Sequence, residues 1–331
     1  MKAFVHEGEA GLIGAKYIDI EEKHPSNKEV KVRLKYAGLN HRDLFVLYRH
    51  GVNDPALIIG SDGAGVIEEI GSEVSGFQIG DEVVINPSLG WKDKSDAPPE
   101  GFQILGLPDH GTFAEKIVIS AENIELKPDH LSWEEAGVLP LAALTAYRAL
   151  FTRAKVKSTD TILLPGVGSG AVTYLLLFSK AIGARVIVTS RSELKRQKAL
   201  ELGADVALDS NSDWEEALKG EKVDVVIETV GAATFNKSIK QLRNGGTIVT
   251  FGASAGDVVD LDLRSFFYGQ LNLLGTTMGS SEEFKEMLDF VSKHKIKPVI
   301  DKVFELSEVD QALKRMDEAE QFGKIAIRIS E

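Results

Sequence analysis

Closely spaced glycines follow an apolar run in the middle of the chain. The run Thr161–Leu164 leads into a G-x-G-x-x-A pattern that starts at Gly166, and Thr173–Ile182 continues as an apolar stretch long enough for a helix. Such a turn lets backbone approach a pyrophosphate, and the following helix presents N–H groups to it. A second apolar run, Ala184–Ser190, completes the strand–helix–strand context. The spacing predicts a dinucleotide site contacted by the turn residues Gly166, Gly168, Ser169, Gly170, Ala171 and Val172.

The residues after the second strand indicate which dinucleotide is bound. NAD sites carry an acidic residue about 20 residues beyond the glycines, where it binds the ribose 2′-hydroxyl. Ser190 stands at that place, and Arg191 follows it. A guanidinium matches phosphate geometry in a bidentate manner, and a serine hydroxyl can donate to the same phosphate. We therefore expect NADP(H); the alternative is that Arg191 is a solvated residue after a strand. Glu193 is assigned to the first turn of the next helix, where a carboxylate is favourable.

Length, charge and cysteine content restrict the class of protein. The 331 residues exceed what one ordinary core supports and predict two domains. The net charge of −12 disfavours nucleic acid or an anionic membrane as partner, because both require a basic face. No apolar leader follows Met1 and no apolar run reaches the ~18 residues of a membrane span, so we expect a cytoplasmic protein with a small-molecule substrate. The absence of cysteine excludes disulfides, thiolate-bound zinc and a cysteine nucleophile.

The pattern of apolar runs changes near Trp133. Before it, short β-like runs between glycine turns predict a mostly antiparallel, barrel-like domain: Val30–Tyr36, Ala64–Ile70, Glu82–Ile85 and Ala114–Ile119. After it, strands alternate with helices and predict a doubly wound parallel sheet: Thr161–Leu164, Arg185–Thr189, Ala204–Asp209, Val223–Glu228, Gly246–Phe251 and Asn272–Met278. A helix is predicted at Ser281–His294 and a last strand at Lys324–Ile329. This final segment resembles the first domain in its pattern of elements. We expect an α/β protein with domains at 1–125 and 126–279, and a return to the first domain at 280–331.

Four ordered motifs resemble the medium-chain dehydrogenase/reductase superfamily over nearly the whole chain. They are Gly38-Leu39-Asn40-His41-Arg42-Asp43, Gly60-Ser61-Asp62-Gly63-Ala64-Gly65-Val66, Gly80-Asp81-Glu82-Val83 and Leu144-Thr145-Ala146-Tyr147. The last of these is similar to a signature of the quinone oxidoreductase branch. The resemblance implies a GroES-like, mostly β catalytic domain and a Rossmann cofactor domain.

The same motifs depart from the zinc-binding pattern of that superfamily. A Lewis-acid zinc requires a thiolate and an imidazole with one open position. Asn40 stands where the family has its first Cys, Ser61 where it has His, and Asp62 where it has Glu; Arg42 replaces the Ser or Thr that relays the alcohol proton. We therefore predict no metal site of the usual kind. The chain looks like the bacterial group often called zinc-type alcohol dehydrogenase-like, which lacks the zinc ligands.

The resemblance also implies catalytic positions. Asn40 and Thr145 would border the nicotinamide and its ribose, although Asn40-x-x-Asp43 is also a good capping box for a helix at His41–Arg49. Arg42 and Tyr48 are candidates for the proton donor in a segment expected to rim the cleft. Protonation by water would serve equally well, and no acid is assigned.

Further cofactor contacts follow from strand ends, where open α/β sheets bind ligands. The resemblance implies contacts by Val230, Phe251, Gly252 and Met278, and by Lys195 near the adenosine ribose or its phosphate. The segment Leu271–Met278 resembles the family's edge strand, which pairs across a two-fold axis, so we expect a homodimer, with a tetramer as the alternative.

Without a Lewis acid, conjugated acceptors are easier to reduce than simple ketones, because conjugation spreads the incoming charge. We therefore hypothesise a zinc-independent, NADPH-dependent reductase of quinones or α,β-unsaturated carbonyls. Two alternatives stay open. One is an NADPH-dependent aldehyde or ketone reductase, and the other is a non-catalytic NADP(H)-binding redox sensor.

Overall fold

The computed structural model describes residues 1–330, which form two compact units. The β-rich unit comprises Met1–Leu144 together with the chain from Gly279 onward, and the parallel-sheet unit comprises Thr145–Met278. The sequence placed the first boundary at residue 125, whereas the structure places it after Leu144. The reason is that the helix Trp133–Gly137 packs on the strands Glu29–Gly38 and Asp62–Ile70. The segment after residue 125 therefore shares the core of the β-rich unit.

The amino-terminal part of the β-rich unit contains ten strands and two α-helices within the described residues. They are β1 (Lys2–His6), β2 (Ala15–Asp19), β3 (Glu29–Gly38), α1 (His41–Arg49), β4 (Leu57–Ile58), β5 (Asp62–Ile70), β6 (Glu82–Ile85), β7 (Ser88–Leu89), β8 (Gln103–Ile104), β9 (Lys116–Ser120), β10 (Ile124–Leu126) and α2 (Trp133–Gly137). The helix α3 (Pro140–Tyr147) crosses the boundary into the parallel-sheet unit.

The parallel-sheet unit alternates strands and helices as the sequence predicted. Its elements are β11 (Thr161–Leu164), α4 (Gly170–Ala181), β12 (Arg185–Ser190), α5 (Glu193–Glu201), β13 (Val206–Asp209), α6 (Trp214–Ala217), β14 (Val223–Glu228), α7 (Ala232–Gln241), β15 (Leu242–Thr250), α8 (Leu263–Tyr268) and β16 (Asn272–Gly275). All pairings are parallel, in the order β13-β12-β11-β14-β15-β16. The central strands are buried apolar runs, as expected where both faces of a sheet are covered.

The last strand of the parallel sheet is shorter than predicted. The prediction extended it from Asn272 to Met278, but β16 ends at Gly275, where its partner β15 also ends at Thr250. One more hydrogen bond, from Thr276 N to the Thr250 carbonyl at 3.0 Å, follows the last paired residue. Met278 then adopts a φ of 37°, so it lies in a turn rather than in an edge strand.

The chain returns to the β-rich unit through α9 (Ser281–His294), β17 (Ile300–Glu305), α10 (Val309–Asp317) and β18 (Lys324–Arg328). Strand β18 pairs antiparallel with β3 and parallel with β17. The resulting sheet has the order β10-β6-β5-β3-β18-β17, with β9 also paired to β3; two smaller sheets have the orders β2-β1-β4 and β7-β8. The predicted fold class is confirmed. Its consequence for the site is that β18 lies beside the end of β3, next to the loop that carries Asn40.

Candidate functional site

The glycine turn of the parallel-sheet unit depends on backbone that only glycine adopts readily. Gly166 and Gly168 have φ of +75° and +129°. A Cβ on Gly166 would lie 2.6 Å from Val230 Cγ2, and one on Gly168 would lie 2.7 Å from Lys195 Cδ. Helix α4 starts at Gly170, and its N-cap Ser169 accepts a hydrogen bond from Val172 N at 3.3 Å. The turn thus leads directly into a helix N-terminus, where N–H groups and the helix dipole favour an anion.

Positive side chains lie beside this turn, at the end of β12. Arg191 is exposed, and the described residues 1–330 provide no ion-pair partner for its guanidinium. The stem of Lys195 passes over Gly168. Arg196, which the sequence analysis did not name, donates to the Ser190 carbonyl at 2.7 Å and lies 3.3 Å from the Asp209 carboxylate. Ser190 is buried, and its Oγ accepts from Ser192 N at 3.2 Å. Ser192 caps α5, so Glu193 does occupy the first turn as predicted.

Glu228 is a second residue that sequence reasoning missed. It ends β14 and is fully buried. Its Oε1 accepts from Val230 N at 2.8 Å, Gly231 N at 3.2 Å and Thr234 Oγ1 at 2.9 Å, and its Oε2 accepts from Ser238 Oγ at 2.7 Å. The carboxylate therefore holds the strand-to-helix turn that carries Val230 and satisfies the N-terminus of α7. A terminal Glu after an apolar strand gave no sequence signal for this role, because such residues are usually solvated.

The remaining predicted residues of this unit lie at strand ends or on α3. Gly252 follows β15, and a Cβ there would lie 2.6 Å from the Thr229 carbonyl, so the loops after β14 and β15 touch. Phe251 immediately precedes Gly252 in that loop. Thr145 is buried on α3, and its Oγ1 lies 3.9 Å from Met278 Sδ. The glycine turn and the helix N-terminus fit the pyrophosphate of a dinucleotide.

A buried polar cluster surrounds Asn40 in the β-rich unit. Lys324 Nζ donates to Asn40 Oδ1 at 2.6 Å, to Asp62 Oδ2 at 3.0 Å and to the Leu39 carbonyl at 2.8 Å. Asn40 Nδ2 donates to Asp62 Oδ2 at 2.9 Å, and Asp62 Oδ1 accepts from Leu141 N at 2.7 Å. Asp62 is 0% exposed, Lys324 2% and Asn40 6%. We call Asn40, Asp62 and Lys324 the Asn40 cluster.

Helix α1 positions the other candidates of this unit. Arg42 Nη1 donates to Ser61 Oγ at 2.6 Å and to the Leu105 carbonyl at 2.7 Å, and burial lowers the pKa of its guanidinium. The Asp43 carboxylate accepts from Asn40 N at 2.8 Å, which is the reciprocal arm of the predicted capping box. Burial raises the pKa of Asp43 to about 6, although the Arg42 charge acts against this shift. Tyr48 lies near the end of α1 and is 71% exposed, beside Gly11.

Asn40 and Arg42 are thus both built into networks in which Asp62 and Ser61 take part. Tyr48 has no hydrogen-bond partner among residues 1–330 and lies eight residues along α1 from Asn40, or about 12 Å at 1.5 Å rise per residue. Lys324 is the main residue that sequence reasoning missed. A lysine at the start of a strand is ordinarily solvent-exposed, and only the pairing of β18 with β3 brings it to residues 40 and 62.

The donor set at these positions does not fit zinc. An amide at residue 40, a hydroxyl at residue 61 and a carboxylate already paired with an ammonium replace the thiolate, imidazole and carboxylate expected of a catalytic zinc site. The ammonium of Lys324 and the guanidinium of Arg42 both lie within hydrogen-bond distance of these side chains and would repel a dication. Across the described residues 1–330, no three His, Cys, Asp or Glu side chains are grouped so that they could hold a metal ion. No helix in that range is long and apolar enough to cross a membrane.

Two family models match the two parts of the chain. Residues 26–129 match the alcohol dehydrogenase GroES-like domain, and residues 166–293 match the zinc-binding dehydrogenase family. A zinc-type alcohol dehydrogenase-like protein of Schizosaccharomyces pombe is 34% identical over 99% of both chains. An acryloyl-coenzyme A reductase of Sulfurisphaera tokodaii is 29% identical over 99% of this chain and all of its own. The crystal structure of an NAD-dependent alcohol dehydrogenase superposes over all of both chains with a TM-score of 0.91 and 36% identity.

These similarities extend over both units and include the glycine turn and the loop of Asn40. The chain belongs to the medium-chain dehydrogenase/reductase superfamily and is an oxidoreductase that binds a nicotinamide nucleotide.

Proposed function

We propose that this protein is a zinc-independent, NADPH-dependent reductase of conjugated acceptors, namely α,β-unsaturated carbonyl compounds or quinones. The observation that carries the proposal is the Asn40 cluster. Amide, carboxylate and ammonium groups that already satisfy one another stand where a metal-dependent member would place its ligands. An acceptor reduced here must therefore disperse its own developing charge, as a conjugated one does.

The cofactor proposal rests on the end of β12. Arg191 is exposed beside the glycine turn, the Lys195 stem crosses Gly168, and Ser190 occupies the place of the acid that NAD sites use. Three positive side chains follow Ser190 within six residues, which suits a 2′-phosphate better than a 2′-hydroxyl. We propose cofactor contacts by the turn residues, Ser190, Arg191 and Lys195, and by Val230, Phe251, Gly252 and Met278 at the other strand ends.

The catalytic proposal uses few protein groups. NADPH, when held by the glycine turn, would supply a hydride equivalent, and a conjugated acceptor would take up the resulting negative charge on its carbonyl oxygen. Asn40 and Thr145 are proposed to border the nicotinamide, and Asn40 retains an N–H that can donate to that oxygen. Arg42 is hydrogen-bonded to Ser61 and Leu105, so a role for it is positional rather than acidic. Tyr48 remains a proposed donor, but it lies about two helical turns from Asn40, so water at the α-carbon is the simpler proton source.

One relative bears the name acryloyl-coenzyme A reductase, and this similarity supports reduction of a conjugated C=C bond. The structural likeness to an NAD-dependent alcohol dehydrogenase favours a second candidate, reduction of an aldehyde or ketone C=O bond. The two reactions give different products from one enone, because the first leaves a saturated ketone and the second an allylic alcohol.

Gel filtration distinguishes the proposed homodimer from a tetramer.

The test measures oxidation of NADPH and of NADH with crotonyl-CoA, 2-cyclohexen-1-one and 1,4-benzoquinone, with and without EDTA. We expect turnover with NADPH, little with NADH, no effect of EDTA, and saturated products from the first two substrates. Loss of activity in EDTA, restored by zinc, would contradict the zinc-independent proposal. Tight NADPH binding without turnover on any acceptor would favour the redox-sensor alternative.

A further inference from the structure

The side-chain amide of Asn40 is held in one orientation. Its Oδ1 lies 2.6 Å from the Lys324 ammonium, and its Nδ2 lies 2.9 Å from the Asp62 carboxylate. Exchange of the two amide atoms would place N–H groups against a cation and a carbonyl oxygen against an anion. The charges on either side therefore decide the assignment of oxygen and nitrogen without ambiguity.

A count of hydrogen bonds leaves one donor unused in the Asn40 cluster. Lys324 has three N–H groups, and these donate to the Leu39 carbonyl, Asn40 Oδ1 and Asp62 Oδ2. Asp62 accepts at both oxygens, since Leu141 N donates to Oδ1. Asn40 Nδ2 uses one of its two hydrogens on Asp62. No acceptor for its second hydrogen occurs among residues 1–330, so this N–H is not used by the described protein itself.

The ammonium on Oδ1 strengthens that remaining N–H. A cation at the carbonyl oxygen draws electron density out of the amide, which makes its hydrogens better donors, and hydrogen bonds in series polarise one another in this way. Burial of all three side chains keeps the local dielectric low, so the effect is larger than in water. Because Lys324 and Asp62 neutralise each other, the cluster achieves this without an unpaired buried charge.

We propose that Lys324 is a positioning residue for the reaction, acting through Asn40. It orients and polarises the amide so that the second N–H of Asn40 donates to the carbonyl oxygen of a conjugated acceptor as negative charge develops there. This inference rests on the proposed function. The hydride forms the new C–H bond at the β-carbon, the π electrons become the enolate oxygen charge, and water supplies the proton that forms the α-carbon C–H bond.

The test is a double-mutant cycle that avoids a lone buried charge. One arm replaces the ion pair by the neutral pair Lys324→Met with Asp62→Asn, and the other arm is Asn40→Ala. Crotonyl-CoA and 2-cyclohexen-1-one are the probes. We expect Asn40→Ala to lower kcat about 100-fold or more, in the range seen for loss of one oxyanion donor. The neutral pair should lower kcat at least tenfold with KM changed less than threefold.

The triple variant is the decisive measurement. If Lys324 acts through Asn40, the triple variant has the kcat of Asn40→Ala within about twofold, because the amide that the ion pair orients is gone. If the fold-losses of kcat in the neutral-pair variant and in Asn40→Ala multiply in the triple variant, the ion pair acts independently of Asn40. That result would assign it a purely structural role and overturn the proposal.

The chain offers a matched control at the opposite end of β3. Lys31 is also 2% exposed, and its Nζ lies 2.6 Å from Glu69 Oε1. The neutral pair Lys31→Met with Glu69→Gln removes an ion pair from the same unit whose lysine is equally buried, although Glu69 itself is 38% exposed. We expect its kcat to equal that of the wild type within twofold. A tenfold loss in this control would show that kcat responds to any weakened ion pair in the unit, and would also overturn the proposal.

A readout independent of turnover separates this inference from the proposed function. The Nδ2 hydrogens of Asn40 give one amide NMR pair, identified by its loss in Asn40→Ala. We expect widely separated proton shifts in the wild type, a large change in the Lys324→Met, Asp62→Asn variant, and none in the Lys31 control. If the wild type reduces none of the probes, the proposed function fails. An Asn40 amide pair that does not respond to the combined Lys324→Met and Asp62→Asn replacement refutes the orienting role of the ion pair.

Discussion

The glycine turn of the parallel-sheet unit and the Asn40 cluster of the β-rich unit are built in opposite ways. The turn uses backbone: Gly166 and Gly168 adopt positive φ, and the N–H groups at the start of α4 are its donors. The Asn40 cluster uses side chains, two of them charged, with almost no exposed surface. The turn is contiguous in sequence. In the cluster, Lys324 lies 284 positions after Asn40 and 262 positions after Asp62.

This difference determines which substitutions disrupt each region. A backbone site fails when a Cβ is added, and it is indifferent to many side-chain changes around it. A cluster of buried charges is destabilised by changes in side-chain shape. It is destabilised most by a substitution that removes one charge of a pair, because the opposite charge is then buried without a partner. Four predictions, beyond the cycle at Lys324, test this contrast.

The largest effect is expected at Gly168. Gly168→Val places a Cβ at φ +129°, 2.7 Å from Lys195 Cδ, in the turn that a pyrophosphate approaches. NADPH affinity, measured by fluorescence titration, should fall at least 100-fold. Gly183→Val is the matched control, since Gly183 also has a positive φ, +86°, but open space around its Cβ position. Both variants carry backbone strain of about 1–3 kcal/mol. An equal loss of NADPH affinity in both would show that strain, rather than cofactor contact, explains the Gly168 result.

Arg191→Ala tests the cation at the end of β12. Removal of one charge-assisted hydrogen bond should weaken NADPH binding by roughly 1.5–3 kcal/mol, or about 10- to 100-fold, and leave NADH nearly unaffected. Arg185, at the other end of the same strand, pairs with Glu221 at 2.8 Å. Arg185→Ala should change the affinity for neither cofactor. Equal losses of affinity for NADPH and for NADH in Arg191→Ala would contradict the proposed contact of Arg191 with the 2′-phosphate.

Asp43→Asn tests the buried charge of the β-rich unit. Burial raises the pKa of Asp43 from 3.8 to about 6, so between those values the folded protein holds a proton that the unfolded chain has released. The free energy of unfolding therefore decreases as pH rises through this window, by about 3 kcal/mol for this group. Denaturant titrations at pH 5 and 7 should show a smaller difference for Asp43→Asn than for the wild type. An identical pH dependence in both proteins would contradict the shift.

Glu228→Gln should have the smallest effect. The variant keeps an acceptor for Val230 N and Gly231 N, and Ser238 can reverse its hydrogen bond toward the new amide. We expect a loss of about 1 kcal/mol in unfolding free energy and about threefold in NADPH affinity. Glu228→Ala, which leaves the backbone donors without a partner, should lose clearly more of both. Equal losses in the two variants would argue against the hydrogen-bonding role.

The predictability of each region follows from how it is assembled. The glycine turn, the capping Ser192 and the Ser190-Arg191 pair lie within about 30 residues, and their spacing alone carries the geometry. The parallel sheet was predictable for the same reason, because each strand is a continuous buried apolar run. The prediction that the zinc ligands of the family are replaced likewise needs no long-range structure, since it rests on which residue types stand in two short motifs.

Lys324 and Glu228 could not be identified in this way. Each is a charged residue at the end of a strand, a place where solvent exposure is the ordinary outcome. Their burial depends on long-range pairing, of β18 with β3 in one case, and on local turn geometry after β14 in the other. The first domain boundary was misplaced for a related reason, because α2 belongs to the core that it covers rather than to the segment that follows it.

The place of β18 in the sheet also sets an order of events during synthesis. Asp62 leaves the ribosome 262 residues before Lys324, which at 5–20 residues per second is roughly 10–50 s. Within that interval the parallel-sheet unit, a single continuous segment, is completed, while the β-rich unit still lacks β17, β18 and the cation for its buried carboxylate. The half-built unit must keep Asp62 hydrated until then. Nascent chains stalled before β18 should therefore protect the parallel-sheet unit from proteolysis and leave the segment around residue 62 open to cleavage.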